Sequence, residues 1–307
     1  MKFSIVLPNC MTVEAVSQPW EAGLSGAEIA RVARLADEIG FTTALVSEHF
    51  FFPSEHVALS GEHALHATTA LGYFAGVTSR LRVGSLVSIL PLHHPLIAAK
   101  AWATLDWLTG GRAVVGLGVG WLREEFDVLG IPFSQRGKRM DEYVDAMVEL
   151  WTAQRPDFHG RHVDFQDIAF APKPVQTPYP PLWFGGDSRA AVERVARIGS
   201  GWAPLQTPPE RIPRRLDYIR SRPTWRDRPL DVFYSTAWLN MGDAHAVLDN
   251  PAAKGSWHAD EVVDQCGQLA EVGVTETWVP PPPVRDLEEY LDHMRWVAAE
   301  VMPELRQ

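Results

Sequence analysis

The first pair in the chain able to move a proton near neutral pH is Glu48 and His49, a carboxylate and an imidazole at the end of the apolar run Thr42–Ser47. Consecutive residues on a strand point to opposite faces, so the two need not touch, and His49 also reads as a structural histidine ending a strand. A second constellation, Gly185-Gly186-Asp187-Ser188, lies between an apolar run and a helical one. Small residues there expose backbone N–H groups at a helix start, to which Ser188 and Arg189 add donors, the chemistry that holds a phosphate. The same residues also suit a plain turn with Asp187 or Ser188 as the helix cap.

A third run, Gly116-Leu-Gly118-Val-Gly120-Trp121, departs from the dinucleotide fingerprint because Trp occupies the place of the last glycine. Its missing side chains let either a flat ring or a neighbouring strand come close. The histidines of His63-x-x-His66, His93-His94 and His159-x-x-His162 form no HxH, HExxH or Cys/His set, so no catalytic metal is expected. Phe50, Phe51, Phe52 and Trp121 suit the lining of a site for a planar ligand, although most of the 12 Trp and 13 Phe belong to ordinary packing. Arg136-Gly-Lys138-Arg139 suits an anionic cofactor tail or a solvated helix start.

These residues need a scaffold, and the chain supplies a repeated alternation of short β-type runs with amphipathic helical ones. Strands are expected at Phe3–Leu7, Thr42–Ser47, Leu81–Ile89, Ala113–Val119, Leu182–Phe184, Gly201–Pro204, Val232–Leu239 and Val274–Val279. Helices are expected at Gly26–Gly40, Ala64–Val77, Pro95–Leu108, Arg136–Trp151, Asp187–Ile198, Pro209–Arg220, His258–Val272 and Asp286–Ala299. The rhythm breaks at about 155–181, where Pro172, Pro174, Pro178, Pro180 and Pro181 follow an alternating stretch; this reads as an insertion with its own hairpin or meander. Eight strand–helix units predict one (β/α)₈ TIM barrel over residues 1–307, with an insertion after the fourth βα unit and chemistry at the strand C-termini. By that rule Trp238 and Asn240, ending the seventh strand, are further positional candidates.

With 38 Asp+Glu against 28 Lys+Arg, the formal charge of -10 disfavours a nucleic-acid partner. Cys10 and Cys266 form no CxxC pattern, and the apolar run at the N-terminus is too short for a signal peptide. No run approaches the length of a membrane helix, so a cytoplasmic chain with a small-molecule substrate is expected.

The segments Ala36–His49, Leu90-Pro-Leu-His-His-Pro95 through Arg112, Gly116–Trp121 with Glu124-Glu125-Phe126, Pro172-Lys-Pro-Val-Gln176 and Phe184–Ser188 together resemble the luciferase-like monooxygenase superfamily, particularly its deazaflavin (coenzyme F420)-dependent oxidoreductases. The resemblance covers nearly the whole chain to about residue 205. It implies a flavin or deazaflavin ring at the strand ends, an irregular, often cis, peptide near Ser85–Ser88 that buttresses the ring, and a homodimer. It further implies His49 at ring and substrate; Glu48, adjacent to it at the strand end, is the second catalytic candidate. Cofactor contacts would come, by this resemblance, from Ser85, Leu86, Ser88, Gly185, Gly186, Asp187 and Ser188, and, by their place at strand ends, from Asn9, Gly118, Gly120 and Trp121. Sugar-phosphate dehydrogenases of the family carry a Glu where this chain has Trp121, which disfavours that substrate. The function implied is hydride transfer between F420 and a small organic substrate with His49 exchanging the proton. The alternatives are an FMN-dependent monooxygenase and a barrel that binds flavin without turnover.

Overall fold

The computed structural model describes residues 1–10, 17–57, 62–237 and 256–305. In chain order the strands are β1 (Lys2–Val6), β2 (Thr43–Val46), β3 (Arg82–Ser85), β4 (Ser88–Ile89), β5 (Ala113–Gly118), β6 (Phe158–His159), β7 (Asp164–Phe165), β8 (Leu182–Gly185), β9 (Gly201–Ala203), β10 (Asp231–Ser235) and β11 (Glu276–Trp278). All but the antiparallel β6–β7 hairpin join one parallel sheet, and pairing of Lys2 and Phe3 with Glu276 and Thr277 closes it. Because β3 and β4 are two pieces of one strand, the sheet is a closed eight-stranded barrel, a (β/α)₈ TIM barrel.

The helices are α1 (Gly26–Ile39), α2 (Ala67–Gly76), α3 (Pro95–Thr109), α4 (Arg123–Val128), α5 (Arg136–Thr152), α6 (Arg189–Ile198), α7 (Ile212–Arg220), α8 (Ala259–Glu271), α9 (Leu287–Trp296) and the short α10 (Met302–Leu305). Helix α1 shows why they form. Ile29, Val32, Ala33, Leu35 and Ala36 make one buried stripe, and Ser25 caps the start reciprocally with Glu28. Gly40, at φ 92°, ends the helix in the left-handed conformation that glycine adopts without steric cost. No helix among the described residues is long and apolar enough to cross a membrane.

Two differences from the sequence reading bear on function. The third strand is not continuous over Leu81–Ile89: it breaks after Ser85 and resumes at Ser88, and the Leu86–Val87 peptide between is cis. Four steps from Gly84 to Ser88 face three steps from Val114 to Leu117 on β5, so one residue bulges out. The insertion contains a shorter hairpin than the alternation suggested. Its exit is tied to the start of β5 by Asp106, which accepts from the N–H groups of Val175 (2.7 Å) and Gln176 (3.0 Å) and from the Gln176 amide (2.7 Å).

Candidate active site

The bulge explains the glycine run. A Cβ at Gly118 would collide with the Val87 side chain, one at Gly185 would come within 2.9 Å of it, and one at Gly116 would strike the Ser85 carbonyl. Gly120, at φ 78°, is pressed by Ile89 and Phe126. The glycines thus make a notch between β5 and β8 that Val87 fills, which is the close-packing reading; Ser85 is locked there by its hydroxyl donating to Gly116 O at 2.6 Å. Gly118→Ala should therefore cost roughly 1–3 kcal/mol by overpacking against a stiff β-branched side chain. Chemical denaturation checks this, and parent-like stability would refute the notch.

Glu48 and His49 face opposite ways and join separate networks. One oxygen of Glu48 accepts from the Ser88 hydroxyl (2.7 Å) and the Ile89 N–H (2.9 Å) and meets His93 Nε2 at 2.8 Å. Burial opposes ionisation of Glu48, yet His93, Ser88 and Ile89 outweigh it and hold the carboxyl below its ordinary value. Glu48 thereby fixes the strand-three continuation, while its other oxygen is buried without a partner.

His49 Nδ1 lies 3.2 Å from Oε2 of the buried Glu125, whose Oε1 accepts the Phe50 N–H at 2.7 Å. The imidazole sits between Phe52 and Trp121, with ring centroids 4.7 and 5.6 Å away. Its Nε2 has no protein partner among the described residues and is not one of the buried unpaired atoms. Trp121, just beyond β5, is half-exposed, and its ring centroid lies 5.7 Å from that of His56. Glu125 and His93 were missed as partners because their contacts span 76 and 45 residues. For Glu125 a signal existed: Leu122, Glu125 and Phe126 fall at helical spacing, placing a carboxylate on the apolar stripe of α4.

At β8, Ser188 accepts from Ala191 N–H at 3.2 Å and caps α6, and Gly186 has φ 108°. Asp187 is committed to the next loop, accepting from the N–H groups of Leu205, Gln206 and Thr207 and from the Thr207 hydroxyl. What this turn offers an anion is thus backbone N–H at the start of α6, and the carboxylate holds the neighbouring loop. Across the β5 loop, the guanidinium groups of Arg123 and Arg136 lie 4.4 and 3.8 Å from the Phe133 ring centroid. Neither they nor Arg139 pair with a carboxylate among the described residues, although the chain is acidic.

Leu86, at the cis peptide, is half-buried beside this notch. Asn9 lies in the turn after β1 at φ 58°, its N–H held at 2.7 Å by Oε2 of buried Glu21, whose Oε1 accepts the Gln18 N–H at 2.9 Å. Burial pushes the Glu21 carboxyl up to about 7, against the pull of those two N–H groups. Because the folded value lies above the ordinary 4.5, the group stabilises the fold below about pH 4.5 and loses that contribution as pH rises to about 7. Glu21→Gln, neutral throughout, should gain on the parent across that window, by up to about 1.4 kcal/mol per pH unit. Denaturation of both at several pH values reads this, and a pH-independent difference would count against it. Trp238 and Asn240 lie outside the described residues.

A family model described as luciferase-like monooxygenase matches residues 1–239. Among curated relatives, an FMNH(2)-dependent dimethylsulfone monooxygenase of Pseudomonas putida is 31% identical over 235 residues, which cover 72% of this chain but only 61% of that protein. Of solved structures, monooxygenase RslO1 from Streptomyces bottropensis superposes with a TM-score of 0.79 at 25% identity, covering 99% of both chains. The coenzyme F420 dependent tetrahydromethanopterin reductase from Methanopyrus kandleri shares the fold, with a TM-score of 0.74 at 19% identity over 99% of both chains.

Proposed function

The chain belongs to the luciferase-like monooxygenase family, whose members similar to it use FMN or F420, and from that premise we propose that it is an F420-dependent oxidoreductase acting on a small organic substrate. The observation that carries the reading is His49, tied through Nδ1 to buried Glu125 and flanked by Trp121, with no protein partner at Nε2 among the described residues. F420, when bound, gives or takes a hydride. The chain supplies orientation, exclusion of water and the accompanying proton at His49 Nε2.

The surroundings fit a planar ring with an anionic tail. Val87, seated in its notch, makes an apolar buttress between β5 and β8. The N–H groups opening α6 suit a phosphate, and the uncompensated Arg123, Arg136 and Arg139 suit further negative charge, which F420 carries beyond its phosphate. Glu48 holds the strand-three continuation in place, and Phe52 and Trp121 flank the exchanging imidazole.

Monooxygenation with reduced FMN is the second reading, favoured by the similarity to the dimethylsulfone monooxygenase and RslO1. Equilibrium titration with oxidised F420 and with FMN at matched salt and pH separates the two, with tighter F420 binding expected. Preference for FMN, with oxygen uptake on adding reduced FMN, transfers the assignment to the monooxygenase. Binding of neither removes both. A homodimer is part of the proposal: Ile97, Trp107 and Leu108 are exposed along α3, and Tyr73 is exposed on α2, which packs against it. Light scattering that returned the mass of one chain would remove the dimer.

A further inference from the structure

We infer that Glu125 is the positioning residue for His49, setting which imidazole nitrogen exchanges the proton; the inference rests on the proton role proposed for His49. A neutral imidazole carries its hydrogen on either nitrogen, and the hydrogen bond made by one decides the function of the other. Glu125 gives its two oxygens separate tasks. Oε1 takes the Phe50 N–H at 2.7 Å, which pins the carboxylate to the strand-2 end, and Oε2 faces His49 Nδ1 at 3.2 Å. Of two acceptor oxygens, one is taken by the Phe50 N–H and the other faces Nδ1, so the hydrogen between the two residues sits on Nδ1. Neutral His49 then presents bare Nε2, a base ready to take a proton, and on protonation the same atom becomes the acid. No proton needs to cross the ring.

The second task makes the first testable. Phe50 N–H requires an oxygen at the Oε1 position, so in Glu125→Gln the amide keeps its oxygen there and turns its NH₂ toward His49. Nδ1 must then accept, and the hydrogen moves to Nε2. The substitution is isosteric, keeps the Phe50 contact and reverses the tautomer. A merely structural Glu125 would leave the tautomer unchanged.

The experiment is a nitrogen–proton NMR correlation on protein with labelled histidine, the His49 signals being those lost in His49→Gln. In the parent at a pH where His49 is neutral, a protonated Nδ1 and a bare Nε2 are expected; in Glu125→Gln the two exchange. A bare Nδ1 in the parent, or an unchanged tautomer in the variant, overturns the inference. The parent spectrum decides even where the variant folds poorly. Turnover is measured alongside: kcat of Glu125→Gln should fall about 10²-fold with the Kd for oxidised F420 kept within a few-fold. A reversed tautomer with undiminished turnover would leave Glu125 as the positioning residue and remove the proton role of His49, so the two failures are distinguishable.

Discussion

Replacing His49 with alanine is expected to lower turnover by about 10²–10⁴, the usual contribution of a general acid or base, while cofactor affinity stays close to the parent's. The second half follows from geometry. The ring touches Phe52 and Trp121 at its sides and Glu125 at Nδ1, whereas the groups suited to a cofactor's ring and tail are the Val87 buttress, the start of α6 and the arginines around Phe133. Alanine also leaves one oxygen of buried Glu125 without a partner, at a cost of about 1–3 kcal/mol in stability. His49→Gln avoids this complication, since its amide still donates toward Glu125 and cannot exchange a proton. The two variants should lose turnover alike and differ in stability. Weaker cofactor binding with an intact chemical step would sink the proton role.

The difference between what the chain shows as text and what it shows in space follows the range of the interactions. The barrel was legible because its cause is local. Apolar residues at period 3.6 in Gly26–Ile39, ended by Gly40, alternate with short β-type runs, and eight such units have few ways to close. His49 was singled out by position, since the C-terminal strand ends of such a barrel are where sites are built. The bulge at Leu86–Val87 was not legible from periodicity, because an extra residue in a strand changes no pattern until the partner strand is known. It entered only through resemblance. Nor could the text separate the two roles of adjacent Glu48 and His49. Glu48 is spoken for by Ser88, Ile89 and His93, all more than 39 positions away, and His49 by Glu125, farther still.

Family-like segments need not be catalytic, and Asp106 shows why. It lies in Leu105-Asp106-Trp107, and its partners lie in Pro172-Lys-Pro-Val-Gln176; the two segments bind each other at the N-terminal end of β5, opposite the strand ends where the chemistry is proposed. The fully buried carboxylate accepts from Val175 N–H, Gln176 N–H and the Gln176 amide, which also donates to Ala113 O at 2.8 Å, while Lys173 donates to the last-turn carbonyl of Leu150 and to Ala153 O. This is where the insertion is returned to the barrel before β8. Asp106→Ala should lose roughly 3–5 kcal/mol, because hydrogen bonds to a charged group contribute about 1.5–3 kcal/mol each and the buried donors are left unpaired. Asp106→Asn keeps one acceptor but turns an NH₂ toward the remaining donors, so an intermediate loss is expected. Turnover per folded molecule and F420 affinity should not change in either variant, since among the described residues the hydrogen bonds of the Asp106 carboxylate go to Ala113, Val175 and Gln176, away from the strand C-termini. Denaturation midpoints together with active-site titration read both quantities. A loss under about 1 kcal/mol would mean that the insertion is held by something else, and a fall in turnover at full folding would mean that the two ends of β5 are not independent.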